Sequence, residues 1–304
     1  MSHRAKSMAA IVIGAALLLA APASAWHTAG HHILAEAAVK ALPDEIPAFF
    51  RQGAATVAHG SVDPDVMKLR QTPQLRSAEE PEHYIDMELL QGRPLPATRY
   101  EFIKLCQELG VEPNKMGTLP YAVVEGTQRL TVAFAEHRRW PDNPHIKAKC
   151  LLYAGLLAHY SCDLAMPLHV TVHFDGQAPV EGKTFGRSPH TGIHAKVDHL
   201  VEQLALDPMA IAKDAKVVKF DDLMPAVLAE IEKSYALIEK VYELEPQLPG
   251  PEVNKGAIAQ PVVAFANERA RAAASFTASL YATAWAKSAD LKLPEWHARE
   301  EEEK

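Results

Sequence analysis

Cysteine is scarce. The 304-residue chain carries three, Cys106, Cys150 and Cys162, too few for a disulfide framework and without the paired C-x2-C spacing of a thiolate zinc site. Basic charge is not in excess: 31 Lys and Arg stand against 38 Asp and Glu, a formal net charge of −7, which excludes a basic nucleic-acid scaffold. No run of about 18 apolar residues follows the first 25 positions, so no membrane span is expected there. Sustained period-two alternation is missing too, which removes the usual signal for strands. Aromatics are modest at 7%, yet 48% of the residues are hydrophobic; this excludes disorder and supplies a core.

The chain opens with Arg4 and Lys6, an apolar run from Met8 to Ala21, and Ala23-Ser24-Ala25. That order predicts an export signal over residues 1–25, cleaved to leave Trp26 as the amino terminus of a periplasmic or secreted protein. Residues 26–304 read as a single all-α domain, with no internal repeat and no long linker. Apolar spacings of three and four predict helices over 31–41, 47–58, 100–109, 119–138, 147–163, 190–206, 221–244 and 262–286. Gly110 suits a helix C-cap, and the glycines of 176–187 predict a loop. The acidic run 299–304 reads as a solvated end.

Fifteen histidines stand out. Two fall in H-x3-D pairs, His159 with Asp163 and His194 with Asp198. Four-residue spacing on a helix puts both side chains on one face, roughly 5–6 Å apart at Cβ, where an imidazole and a carboxylate can share a cation. His159 and Asp163 lie in the apolar stretch 151–168, and burying both is expensive unless they pair or bind metal. His169 follows Pro167, a third donor just past the expected helix end. A further pair, His59 and Asp63, straddles Gly60 and is not expected to share a face. Upstream, Asp65 sits in Ser61-Val-Asp-Pro-Asp65, His83 in Pro81-Glu-His-Tyr-Ile-Asp86 and His31 in Trp26-His-Thr-Ala-Gly-His31. Asp63-Pro64-Asp65 is also a good turn, and His83 also suits a surface.

In order and spacing, these segments resemble the zinc-dependent single-strand nucleases and 3′-nucleotidases, relatives of bacterial zinc-dependent phospholipase C. The likeness runs from Trp26 to Asp198 and includes Gly117-Thr-Leu-Pro-Tyr121. It implies an almost wholly helical globule binding three zinc ions at the base of a cleft. Asp65, His83, His159 and Asp163 would hold the first. His169, His194 and Asp198 would hold the second. Trp26, through its amino nitrogen and carbonyl, would hold the third with His31 and Asp163. The implied chemistry is phosphoester hydrolysis, with a zinc-bridging water acidified towards a pKa of ~7. Lys68 stands where the nucleases carry an arginine that contacts phosphate, and supplies charge without the bidentate fork. Tyr84 and Asp86 stand where those enzymes stack on and hydrogen-bond a base.

The chain departs from the nucleases at Gly192-Ile-His-Ala-Lys-Val-Asp198, which lacks their Trp and the Asn before the histidine. Asp198 and the short Trp26–His31 gap favour the nuclease branch over phospholipase C. The leading expectation is a monomeric, exported tri-zinc phosphodiesterase acting on single-stranded nucleic acid or 3′-nucleotides, with no protein partner. Hydrolysis of phospholipid head groups is the alternative, and a non-catalytic zinc-stabilised helical protein a lesser one. Among the other histidines, His32 could replace His31 as a ligand, and His173 reads as a polar surface residue. Cys162 is expected to be buried, and Cys106 with Cys150 is a possible bridge.

Overall fold

The computed structural model describes residues 26–176, 192–250 and 258–297. The expected export signal, the expected loop beyond Gly176 and the acidic end lie outside them. No strand occurs among the described residues, and the all-α expectation holds. The main helices are α1 (Thr28–Lys40), α2 (Ala54–Gly60), α3 (Asp63–Met67), α4 (Arg99–Leu109), α5 (Leu119–Arg139), α6 (Pro144–Leu164), α7 (Ile193–Asp198), α8 (Leu200–Gln203), α9 (Leu223–Tyr235) and α10 (Gln260–Lys287).

Local chemistry sets several of these ends. Thr98 and Glu101 form a reciprocal capping box before α4, and Gly110 closes that helix at φ 69°, a left-handed turn that glycine adopts without Cβ strain. Asn143 accepts from the amides of His145 and Ile146 at 2.9 and 3.2 Å, opening α6 with Pro144 in its first turn.

The long helices α6 and α10 pack on each other and on both α1 and α5, with α2 laid across α6. One apolar cluster gathers Phe50, Phe102, Phe134, Leu157 and Tyr281. A second gathers Trp26, Leu34, Cys162, Val197 and Val201. Both α1 and α6 contribute to each cluster, so the residues these two helices share lie at the seam. The crossing of α2 and α6 depends on two glycines. A Cβ added at Gly155 would lie 2.9 Å from the Gly60 backbone and from the Val57 carbonyl. This close approach brings the turn after α2 against the last turns of α6.

Three expected helices are divided. The 47–58 segment breaks at Gly53 into Ala48–Gln52 and α2, where a Cβ at Gly53 would overlap the Leu151 side chain. The described part of 190–206 breaks at His199 between α7 and α8, and 221–244 breaks after α9 before Ile238–Leu244 resumes. Neither of these last two breaks carries Gly or Pro, so apolar spacing alone gives no warning of them. The three cysteines are free and buried, and no Cys106–Cys150 bridge forms. Instead the Cys106 sulfur meets the Met116 sulfur at 3.9 Å.

Candidate metal centre

Helix α6 presents His159 and Asp163 one turn apart, both wholly buried. The Nδ1–H of His159 donates to the Ser61 carbonyl at 2.7 Å, which leaves Nε2 with its lone pair turned inward. That Nε2 lies 2.9 Å from His83 Nδ1 and 3.4 Å from Asp163 Oδ2. Asp163 also stands 3.3 Å from His31 Nε2, 3.2 Å from His83 Nδ1 and 3.9 Å from His169 Nδ1. The His31 ring, carried by α1, stacks on His159 at 3.9 Å between centroids.

His83 ends a short 3-10 turn, Glu80–His83. Arg99 pairs with Glu82 of that turn and, at 2.9 Å, with Glu125 of α5, while Thr118 donates to Glu82 at 3.2 Å. This network secures the turn to the body of the protein. His169 ends another 3-10 turn, Pro167–His169, and its Nδ1–H donates to the His83 carbonyl at 2.5 Å. In return the Ile85 amide donates to the His169 carbonyl at 2.9 Å. From α7, His194 Nε2 approaches His169 Nε2 at 3.1 Å and Asp198 Oδ2 at 3.1 Å. The carboxylate of Asp175 accepts from the amides of Gly192 and His194, at 2.6 and 3.2 Å, and so anchors the start of α7.

The result is three neighbouring groups, the first two sharing His159: His31, His159 and Asp163; Asp65, His83 and His159; and His169, His194 and Asp198. Within each group the donor atoms lie within 4.8 Å of one another. The residues expected from the sequence are thus brought together from α1, α3, α6, α7 and two 3-10 turns. Trp26 is fully buried beside them and donates from its indole Nε1 to the Cys162 carbonyl at 3.1 Å, while the next amide, His27, donates to the Asp198 carbonyl at 3.2 Å. Lys68 is nine-tenths covered and sits 2.7 Å from Asp65 Oδ1, facing the group rather than solvent.

These donors fit a divalent cation. Both nitrogens of His31, Nε2 of His83, Oδ1 of Asp163 and both oxygens of Asp198 are buried without a hydrogen bond. Leaving so many strong polar atoms unsatisfied is costly; a shared cation satisfies them together. Burial pushes the imidazoles of His31, His169 and His194 down to about 4 and holds His83 and His159 well below the usual histidine range. Neutral imidazoles are the form that ligates metal. Burial equally pushes Asp163 and Asp198 well above the carboxylate range, so a positive ion is what would keep them charged. At Asp65, burial acts upward, but His159, Lys68 and His31 outweigh it and hold the carboxyl below its ordinary value.

Tyr84 and Asp86 follow His83, yet neither side chain is hydrogen-bonded or ion-paired to the His/Asp group. The Tyr84 hydroxyl donates to the Asn114 carbonyl at 2.5 Å. The ring lies over Gly117, where φ is +88° and an added Cβ would come 2.1 Å from the Tyr84 carbonyl oxygen. Burial, helped by Glu88, pushes the Asp86 carboxyl up to about 7. His173 is 5% exposed, which corrects the surface placement expected for it; its carbonyl accepts from the Tyr242 hydroxyl at 2.5 Å. His59 and Asp63 do not share a helix, since α2 ends at Gly60 and α3 starts at Asp63. Sequence reasoning missed the Ser61 and His83 carbonyls, Asp175, and the Arg99–Glu82–Glu125 network. Carbonyls carry no residue signature, and the others become partners only through the tertiary fold.

No family model matches the chain, and no curated protein matches it. Among solved structures the chain is similar to an alpha toxin from Clostridium absonum, with a TM-score of 0.45 and 14% identity, over 86% of this chain. It covers 64% of the length of that toxin chain.

Proposed function

We propose that this chain is a zinc-dependent phosphoester hydrolase, with Asp65, His83, His159 and Asp163, His169, His194 and Asp198, and His31 with the Trp26 amino terminus holding three ions. The observation that carries the reading is Asp163. It is wholly buried and within 4 Å of four imidazole nitrogens, yet its Oδ1 accepts no hydrogen bond. A carboxylate so placed is arranged to bridge cations rather than to satisfy one histidine.

When bound, the ions supply acidified water and neutralise charge on a phosphoryl group. The chain's own part is positioning. The Ser61 and His83 carbonyls fix the tautomers of His159 and His169. Lys68, ion-paired to Asp65 at the edge of the group, is placed to meet a phosphate oxygen once Asp65 is engaged elsewhere. The imidazoles stay neutral at ordinary pH and so do not compete with ligation.

For substrate we infer single-stranded nucleic acid or a 3′-nucleotide, with the half-buried Tyr84 ring as a stacking face and Asp86 beside it. A phospholipid is the second reading, favoured by Val66, Leu69 and Leu75, which are 53%, 51% and 44% exposed next to Lys68 along the chain. Protein beginning at Trp26, loaded with zinc, separates these readings when assayed on single-stranded DNA, RNA, a 3′-nucleotide and phosphatidylcholine, with chelated protein as control. Chelator-sensitive release of nucleotides or of inorganic phosphate is expected. Release of diacylglycerol with nucleic acid untouched would transfer the site to lipid. Zinc that raises the melting temperature without hydrolysis of any substrate would leave a purely structural metal centre.

A further inference from the structure

The segment that delivers His194 and Asp198 inward also presents two donors outward. Asp198 is 1% exposed, whereas the next residue, His199, is half-buried at the surface, and Glu202 follows three positions later on the same side. The segment leading into α1 repeats the alternation: Trp26 is buried, and His27 is half-buried and meets His199 and Glu202. The His27 and His199 rings stack at 4.4 Å between centroids and 23° between planes. His27 Nδ1 lies 2.5 Å from Glu202 Oε2, and donor atoms of all three residues fall within 4.8 Å of one another.

We propose that His27, His199 and Glu202 form a further, exchangeable site for a borderline divalent cation of the Zn2+, Ni2+ or Cu2+ class, separate from the buried centre. Three features argue for it. The Nδ1–H of His199 donates to the Ala195 carbonyl at 2.6 Å, so its free nitrogen is Nε2, with the lone pair available. Two imidazoles with one carboxylate select this class of ion over Ca2+ or Mg2+, which prefer all-oxygen shells. The partial exposure of the group, 42% for the His27 side chain and 38% for Glu202, leaves coordination positions for water and a path for exchange. An ion here ties the start of α1 to α8, one residue from both Trp26 and Asp198.

The test is zinc binding by equilibrium dialysis of the chelated protein, with Zn2+ as the probe. Wild type should bind one equivalent more than His199→Ala and Glu202→Gln, with the weakest binding phase missing from both variants. His32→Ala, a neighbouring half-buried histidine, should bind like wild type. The double variant Asp163→Ala/His169→Ala, which disrupts the buried centre, should keep the extra equivalent, so failure of the hydrolytic reading and failure of this site are distinguishable. Nuclear magnetic resonance of the imidazole protons provides a second measurement, in which the His27 and His199 signals should move together as that equivalent binds. Equal stoichiometry in wild type, His199→Ala and Glu202→Gln, with unmoved imidazole signals, would overturn the proposal and leave His27–Glu202 as a plain hydrogen bond.

Discussion

His159 with Asp163 and His194 with Asp198 obey the same four-residue spacing, but the protein supports them differently. The first pair rides near the end of a 21-residue helix, pressed against α2 through Gly60 and Gly155 and locked by the Ser61 carbonyl. The second rides on a six-residue helix whose start depends on the Asp175 carboxylate. A long helix in a core holds its side chains by packing. A helix of under two turns has little propagation of its own and relies on caps and partners. The same motif therefore yields a rigid half-site and a conditional one.

The largest effect that tests this contrast comes from the carboxylates themselves. Asp163→Ala is expected to remove more than one zinc per chain and lower hydrolysis by at least roughly 100-fold, because that carboxylate lies beside His31 of one donor group and His83 of another. Asp198→Ala should empty only its own group. Elemental analysis with steady-state rates reads both, and a single zinc lost from each variant would erase the asymmetry.

Next in size is Gly155→Ala. The added methyl has nowhere to go between α2 and α6, so the expected loss is about 1–3 kcal/mol of stability, with weaker zinc binding at the His159 group. Thermal unfolding with and without chelator measures it. A variant as stable as wild type would mean that the crossing has more slack than the 2.9 Å approach allows.

Asp175→Ala acts on the other half. Loss of the oxygen that accepts from both amides should cost about 1 kcal/mol and lower zinc affinity at the His169, His194 and Asp198 group by roughly 10–100-fold, leaving the first group intact. Competition with a metal indicator shows whether one binding phase moves alone. Simultaneous weakening of every phase would contradict the idea of separable halves.

The smallest effect on metal binding is expected at Asp86, which lies outside both pairs. Its folded-state pKa of about 7 stands above the ordinary aspartate value of 3.8, so protonation favours the folded state and that contribution is lost as pH rises from about 4 through 7. Asp86→Asn should then be more stable than wild type at pH 8, by roughly 1–2 kcal/mol after solvent screening, and no more stable near pH 3. Melting curves of the two proteins across that range should diverge upward. Parallel curves would show that Asp86 is solvated enough to ionise freely.

The elements that could be read beforehand share a local cause. Gly110 and the apolar period of α5, α6 and α10 act within a turn or two of themselves, and each of these helices appears within a few residues of its expected bounds. The breaks at His199 and after Tyr235 escaped notice because no local residue demands them. After α9 the chain turns where Ser234 donates to the Leu164 carbonyl at 2.8 Å, a contact with a helix 70 residues earlier. Cys106 and Cys150 were readable only as a possibility, since pairing depends on where two helices set their side chains.

At the candidate site the division is sharper. Residue type and spacing by themselves determined that the chain is helical, that His159 and Asp163 must share a face in an apolar helix, and that such a pair needs a partner, because a buried imidazole and carboxylate are expensive alone. Tertiary structure alone decided which distant donors answer them. The approach of Gly60 to Gly155 sets Ser61 against His159, the His83 and His169 turns clasp each other through their backbones, and α1 lays His31 on the His159 ring. It also decided that His27 meets His199 and Glu202 on the outer side. Those placements follow from packing between segments far apart in the chain, and no local pattern of residues encodes the distance between two helices.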